Sequence, residues 1–236
     1  MPDVLKVIGA LQEIPEINND DIITVEWAFL PTKRYYPRFR PKRIEERLTT
    51  DPMFFCEVIK LTYRSDKGKD FGEEVSEQQR AEASLTWNLL KDWRLPPGLT
   101  TGNEFSKENF ESWLKVVQTE CERTGYLKVA MNCIGQVLVN VPTTDPNFPM
   151  CRDVAEIINN KDSTDILQGY QNGILNLYST EIVNPQVQPE QKLSLKYKGL
   201  AAIMEEQSYY RIATMFREVA DHYEDKAIWF AEAFQD

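Results

Sequence analysis

Apolar side chains recur at intervals of three and four residues along nearly the whole chain, which is the spacing of one face of an α-helix. The longest such series runs through Ile212, Ala213, Phe216, Val219, Ala220, Tyr223, Ala227, Phe230 and Ala231. No stretch alternates apolar and polar residues for long enough to build a sheet. Only Val183 to Gln188 has β-like composition, and it lies isolated between prolines. The sequence therefore predicts an all-α fold.

Capping signals mark where several helices begin. Asp51 is followed by Pro52, which gives a carboxylate N-cap with proline at the first helical position. Ser76 and Gln79 have the spacing of a capping box. Asp20 and Asp21 are candidates to cap the second helix. We expect about ten helices between Met1 and Phe234. We expect them to form an irregular α-solenoid, with a compact helical bundle as the alternative.

Proline and glycine cluster between Leu95 and Phe105, which is the clearest linker in the chain. This linker divides the sequence into an N-terminal half, residues 1–95, and a C-terminal half, residues 106–236, unless the two form one continuous domain. Gly169 and Gly173 are one helical turn apart, which indicates close approach of two helices. Apolar residues close to both ends of the sequence suggest a segment of a longer chain.

Charge is distributed unevenly. The chain has a net charge of −10, yet residues 31–44 contain six cations and no acid. Aromatic residues alternate with these cations, and the segment supplies the candidate partner-binding residues Lys33, Arg34, Tyr36, Arg38, Phe39, Arg40, Lys42 and Arg43. The simplest interpretation pairs the cations with nearby acids such as Glu45 and Glu46 while the rings pack inward. The alternatives are an anionic protein partner or a single-stranded nucleic acid, which the net charge would repel at long range.

Trp93 is a further candidate because it precedes a Pro-Pro-Gly turn. Core packing is the leading interpretation for a ring of this size, and exposure for recognition is the alternative, which Trp93 suits better than the other four tryptophans.

No catalytic, metal or cofactor motif is present, so we predict no cofactor and no catalytic residue. The four cysteines include no CxxC pair, and His222 is the only histidine. Glu218 stands four residues before His222, but a metal site needs a further ligand. Phosphate-binding glycine motifs and GxSxG are absent. No apolar run is long enough to span a membrane, and reduced cysteines suit a cytoplasmic protein.

Five stretches resemble the helical C-terminal region of large, poorly characterised bacterial proteins. They are Glu26–Pro31, Arg40–Lys42, Asp51–Ile59, Trp113-Leu114 and Ile134-Gly135. The resemblance implies a module attached to a larger machine, with an NTPase or effector part as in prokaryotic defence systems. It carries over no catalytic residue.

The leading functional hypothesis is a non-catalytic interaction or sensing module, in which a helical scaffold binds another protein or another part of its own chain. One alternative is nucleic-acid or anionic-partner binding through residues 33–43. The other is a helical enzyme with a carboxylate-lined pocket.

Overall fold

The computed structural model describes residues 2–14, 17–67, 76–178 and 189–233. Within these ranges the chain is helical and contains no β-strand, which confirms the all-α prediction. The run from Val183 to Gln188 lies outside the described residues. Of the helices described, none is both long and apolar enough to cross a bilayer.

The described part of the chain contains eleven α-helices and two 3-10 turns. The α-helices are α1 (Pro2–Leu11), α2 (Asn19–Phe29), α3 (Lys42–Thr50), α4 (Pro52–Thr62), α5 (Glu77–Asp92), α6 (Lys107–Thr124), α7 (Leu127–Leu138), α8 (Arg152–Asn159), α9 (Thr164–Tyr178), α10 (Pro189–Glu206) and α11 (Tyr210–Ala233). The 3-10 turns are Leu30–Arg34 and Lys161–Ser163.

Local capping explains several of these boundaries. The Asp51 carboxylate accepts hydrogen bonds from the backbone N–H groups of Met53 and Phe54, at 3.0 and 3.1 Å, and so begins α4. Ser76 and Gln79 form the predicted capping box at the start of α5. The prediction that Asp20 or Asp21 caps α2 was wrong, since Asn18 does so by accepting from the backbone N–H of Asp20.

The chain divides into two compact units. Unit 1 consists of residues 1–99 and 108–130, and unit 2 consists of residues 100–107 and 131–236. Most of α6 thus belongs with the N-terminal helices although it follows the Pro-Gly stretch in sequence.

Unit 1 is built around large aromatic side chains. The ring of Phe55 lies 5.6 Å from that of Trp93 and 5.2 Å from that of Trp113, and all three are buried. Beside them the Sγ atoms of Cys56 and Cys121 are 3.6 Å apart, and both side chains are fully buried. This cluster joins α4, α6 and the residue that follows α5.

Unit 2 contains helices whose backbones touch. A Cβ atom added to Gly169 would overlap the carbonyl oxygen of Asn132, and one added to Gly173 would lie 2.8 Å from that of Gln136. A Cβ on Gly135 would overlap the carbonyl oxygen of Ile166. The close helix approach predicted from Gly169 and Gly173 is therefore confirmed, and it joins α7 to α9.

Helices α10 and α11 form the most extensively packed pair of unit 2. Tyr197 of α10 stacks between Phe216 and Tyr223 of α11, with ring centroids 5.8 and 5.9 Å apart. Ser208 has a φ of 67° in the turn between the two helices. The connection is short enough to reverse the chain, so the helices run antiparallel.

Candidate functional site

The basic segment is largely an ion-paired connection. Lys33 Nζ lies 2.7 Å from Asp92 Oδ2, and the Arg40 guanidinium lies 2.6 Å from Glu45 Oε2. The remaining pairs are Arg43 with Glu46, at 2.8 Å, and Lys42 with Glu13. Pairing with Glu45 and Glu46, predicted as the simplest interpretation, is found. The pairs neutralise most of the positive charge that distinguishes the segment.

The other residues of the segment differ in exposure. Phe39 packs inward and is buried, Tyr36 is half-buried, and Tyr35 is 74% exposed. Arg38 is exposed and forms no ion pair with any residue the structure describes. The side chain of Arg34 lies outside the described residues.

A buried carboxylate anchors the helix that follows the segment. Glu26 of α2 has no exposed surface, and its carboxylate accepts hydrogen bonds from the backbone N–H groups of Arg43 and Ile44, at 3.1 and 2.9 Å. Gln12 Nε2 donates a third at 2.6 Å. Because Pro41 at the N-cap offers no side-chain acceptor, Glu26 caps α3 from another helix. The negative charge also lies where the helix dipole favours it.

The role of Glu26 was not predicted from the sequence, although its position in the helix carries a signal. Glu26 lies four residues after Ile22 and four before Leu30, on the apolar face of its helix. Ile22 and Leu30 are both buried. Burial raises the pKa of the Glu26 carboxyl, against the opposing effect of its hydrogen bonds to the backbone N–H groups of Ile44 and Arg43 and to Gln12. An acid at a core position is the informative exception to helical patterning.

A groove with a volume of about 990 Å³ lies between the basic segment and α5, within unit 1. Its apolar lining comes from Leu30, Pro31, Pro37, Leu85 and Leu89. Its charged lining comes from Lys33, Arg40, Arg94, Glu45 and Asp92. The exposed ring of Tyr35 stands at its edge. Two of the predicted partner-binding cations, Lys33 and Arg40, thus line this groove. A third cation, Arg94, lines it too and was not predicted from the sequence.

Trp93 is not an exposed recognition residue. It is 1% exposed, and its indole N–H donates to Thr49 Oγ1 at 3.3 Å in the core of unit 1. Core packing, the leading interpretation of Trp93, is therefore confirmed, and its candidacy as an exposed partner-binding residue was wrong. The exposed tryptophans are Trp87 of α5, at 46%, and Trp229 of α11, at 61%, and the Lys91 ammonium lies 5.2 Å from the centre of the Trp87 ring.

A smaller groove of about 320 Å³ lies in unit 2. The Arg152 guanidinium bonds Asp145 at 2.8 Å and covers the Phe148 ring at 4.3 Å. This guanidinium and the backbone N–H of Asn147 hold the pKa of Asp145 below its ordinary value. These contacts fasten the proline-containing loop before α8, so the arrangement serves the fold.

Metal-ligating side chains do not converge in the described ranges, where no three His, Cys, Asp or Glu residues share a site. Glu218 accepts a hydrogen bond from Gln171, at 3.1 Å, and the His222 ring meets the Tyr223 ring edge-on. Glu218 and His222, which are four residues apart, thus each contact a neighbouring side chain.

No protein-family model, no curated protein and no solved structure matches this chain. A proposal for its function therefore has to be argued from the described residues alone.

Proposed function

We propose that this chain is a protein-interaction module and that the groove of unit 1 binds a short acidic segment of a protein partner. The observation that carries the proposal is a groove of about 990 Å³ whose lining combines apolar side chains with Arg94, a cation that forms no ion pair with a residue the structure describes. From the resemblance to C-terminal regions of large bacterial proteins, we also propose that this module is part of a longer chain.

The apolar lining of the groove suits a large apolar side chain of a partner. Leu85 and Leu89 lie one turn apart on α5, and Leu30, in the first 3-10 turn, also lines the groove. The small side chains of Ala81 and Ser84 on α5 also line the groove and leave room for an approaching backbone. Leu30 and Leu89 are themselves buried, so the apolar surface that a partner's side chain would cover comes mainly from Leu85, Pro31 and Pro37, at about 25 cal/mol per Å² of apolar area.

The arginines that line the groove suit carboxylates. Arg94 donates to the carbonyl oxygens of Lys91 and Trp93, at 2.8 and 3.1 Å, and these contacts leave its positive charge uncompensated. Arg40 is paired with Glu45, but its side chain is 58% exposed. Glu45 is itself buried, so Arg40 keeps this ion pair and would meet a partner carboxylate through the exposed part of its guanidinium. Guanidinium groups bind carboxylates through two parallel hydrogen bonds, which favours Arg40 and Arg94 as the contact residues.

The carboxylates support binding better than acid–base catalysis. Glu45 and Asp92, the acids of the groove, are each held by a cation, Arg40 and Lys33. Glu26 has a raised pKa, as general acids do, but it is buried outside the groove and both its oxygens accept backbone or amide hydrogen bonds. A substrate in the groove would meet no unpaired acid among these residues.

The test uses fluorescence anisotropy with three labelled probes: a peptide of Asp, Glu, Leu and Phe, its counterpart with Lys replacing each acid, and a single-stranded DNA. We expect the acidic peptide to bind and the basic peptide not to bind. Arg40→Gln and Arg94→Gln should each weaken binding of the acidic peptide at least tenfold. Arg123→Gln is the matched control, because Arg123 belongs to the same unit and is 70% exposed but lies outside the groove.

Two outcomes would contradict the proposal. Equal binding of the acidic peptide to the wild type and to the Arg40 and Arg94 variants would remove the groove as its site. Preferential binding of the oligonucleotide, with affinity falling steeply as salt rises, would instead support the nucleic-acid alternative and would be expected to require Arg38.

A further inference from the structure

Helix α10 has two opposite faces, of which one is used within unit 2. Ser194, Tyr197, Ala201 and Met204 are buried on the side that packs against α11. The other side carries an apolar stripe of Leu195, Gly199, Ala202 and Ile203, and all four residues are exposed. Leu195 is 69% exposed, the highest value among the large aliphatic side chains that the structure describes. A stripe at this spacing is the kind of surface that a second helix covers.

The glycine at the centre of the stripe has no role in the packing of unit 2. A Cβ added to Gly199 would meet nothing within 4 Å, whereas one added to Gly169 would overlap a neighbouring backbone. Glycine in the middle of an 18-residue helix weakens that helix relative to alanine. Gly199 is therefore placed where it would allow another helix backbone to approach closely.

Charges along the stripe are arranged symmetrically about Gly199 and with opposite sign. Lys192 stands seven residues before Gly199, and Glu206 stands seven residues after it. Both are exposed, and neither forms an ion pair with a residue that the structure describes. The neighbouring cation Lys198 and the neighbouring acid Glu205 do form such pairs, with Glu224 and Arg217 of α11.

We propose that two copies of this chain associate through α10, with the two helices antiparallel and crossing at Gly199. In this arrangement Lys192 of one copy faces Glu206 of the other, and Leu195 faces Ile203. Both contacts occur twice because the interface is related by a two-fold axis. A parallel arrangement would instead place Lys192 against Lys192. The surface belongs to unit 2, so the inference is independent of the function proposed for unit 1.

The first experiment measures association by sedimentation equilibrium over a range of concentrations. The wild type should show a monomer–dimer equilibrium. Gly199→Gln should raise the melting temperature of the monomer, since glutamine is the better helix former and has open space, while weakening the dimer at least tenfold. Gly9→Gln is the matched control, because Gly9 is also helical with nothing within 4 Å of an added Cβ, and it should leave the dimer unchanged. A wild type that stays monomeric throughout would overturn the proposal.

The second experiment tests the antiparallel register by exchanging charges. Lys192→Glu alone and Glu206→Lys alone should each weaken the dimer at least tenfold, because each creates two like-charge contacts. A mixture of the two variants should restore association as a heterodimer, since every Glu at 192 or 206 of one chain then meets a Lys of the other. The double variant should restore the homodimer. A dimer that is indifferent to these changes, or a mixture that fails to associate, would refute this interface.

Discussion

Unit 1 and unit 2 are both assembled from amphipathic helices, but they fill their interiors in different ways. Unit 1 brings together the rings of Phe55, Trp93 and Trp113 and encloses the carboxylate of Glu26. Unit 2 brings helix backbones into contact at glycines such as Gly169. Unit 1 is therefore sensitive to the removal of atoms and to the loss of polar partners, whereas the α7–α9 contact of unit 2 is sensitive to the addition of atoms.

The largest effect is expected from Gly169→Val. Its side chain would overlap the backbone of Asn132, so α7 and α9 would have to separate, and we expect a loss of more than about 4 kcal/mol in the free energy of unfolding. Urea denaturation followed by circular dichroism measures this loss. Gly199→Ala is the control in the same unit, because it meets open space and should add up to about 1 kcal/mol. Similar values for the two variants would contradict the close contact.

Phe55→Ala tests whether unit 1 is sensitive to the removal of buried atoms. The ring is fully buried between two tryptophans, so its removal leaves a cavity, and we expect a loss of about 3 to 5 kcal/mol in unfolding free energy. Met53→Ala provides a control on the same helix, since Met53 is 44% exposed and its truncation should cost less than about 1 kcal/mol. A loss below that of the control would show that the aromatic cluster does not hold unit 1 together.

Glu26→Leu tests the buried cap. The substitution leaves the N–H groups of Arg43 and Ile44 without their acceptor, while the Gln12 amide keeps its bond to the Arg40 carbonyl oxygen. Each unsatisfied donor costs about 1 to 3 kcal/mol, so we expect a total loss of at least about 2 kcal/mol. Glu26→Gln should lose less because its carbonyl oxygen still accepts. Glu46→Gln, on the surface, should change stability by less than about 1 kcal/mol. If Glu26→Leu were as stable as Glu26→Gln, the cap would not matter.

The smallest effect concerns pH. Burial raises the pKa of Glu26 above the ordinary 4.5, so its stabilising contribution is complete below pH 4.5 and is lost as the pH rises through the raised pKa. Hydrogen bonds from Lys60 and then Arg123 lower the pKa of Glu120, so its contribution is present above pH 4.5 and is lost as the pH falls through the lowered pKa.

Melting temperatures recorded from about pH 3 to pH 8 separate these two contributions. Glu26→Gln should flatten the curve above pH 4.5, and Glu120→Gln should flatten it below. Changes on the same side of pH 4.5 for both variants would contradict the opposite shifts of the two carboxyl groups.

Much of the fold follows from local sequence. Asp51 begins α4, and Ser76 with Gln79 begins α5, because capping depends on residues close together in the chain. Helix α3 was not predicted as a helix. It has only Ile44 and Leu48 as an apolar pair among charged residues, and its N-terminal cap, Glu26, comes from α2. A cap contributed by a distant residue leaves no local pattern.

The candidate site was predictable in part for a related reason. The cationic character of residues 33–43 is visible in sequence, and Lys33 and Arg40 do line the groove. The pairing of Lys33 with Asp92 and the position of Arg94 depend on how α5 packs, as does the burial of Trp93. Sequence predicts which charges a segment offers, but only packing decides which of them an incoming ligand would meet.

The unequal burial of the four free cysteines allows unfolding to be followed by thiol labelling. Cys56, Cys121 and Cys133 are buried, while Cys151 is partly exposed. A maleimide dye should attach to the native chain at Cys151 alone, and the other three thiols should react only in molecules that have opened. The number of dyes per molecule after a short labelling pulse would then report the fraction of chains that are unfolded, and mutation of Cys151 would silence the native signal.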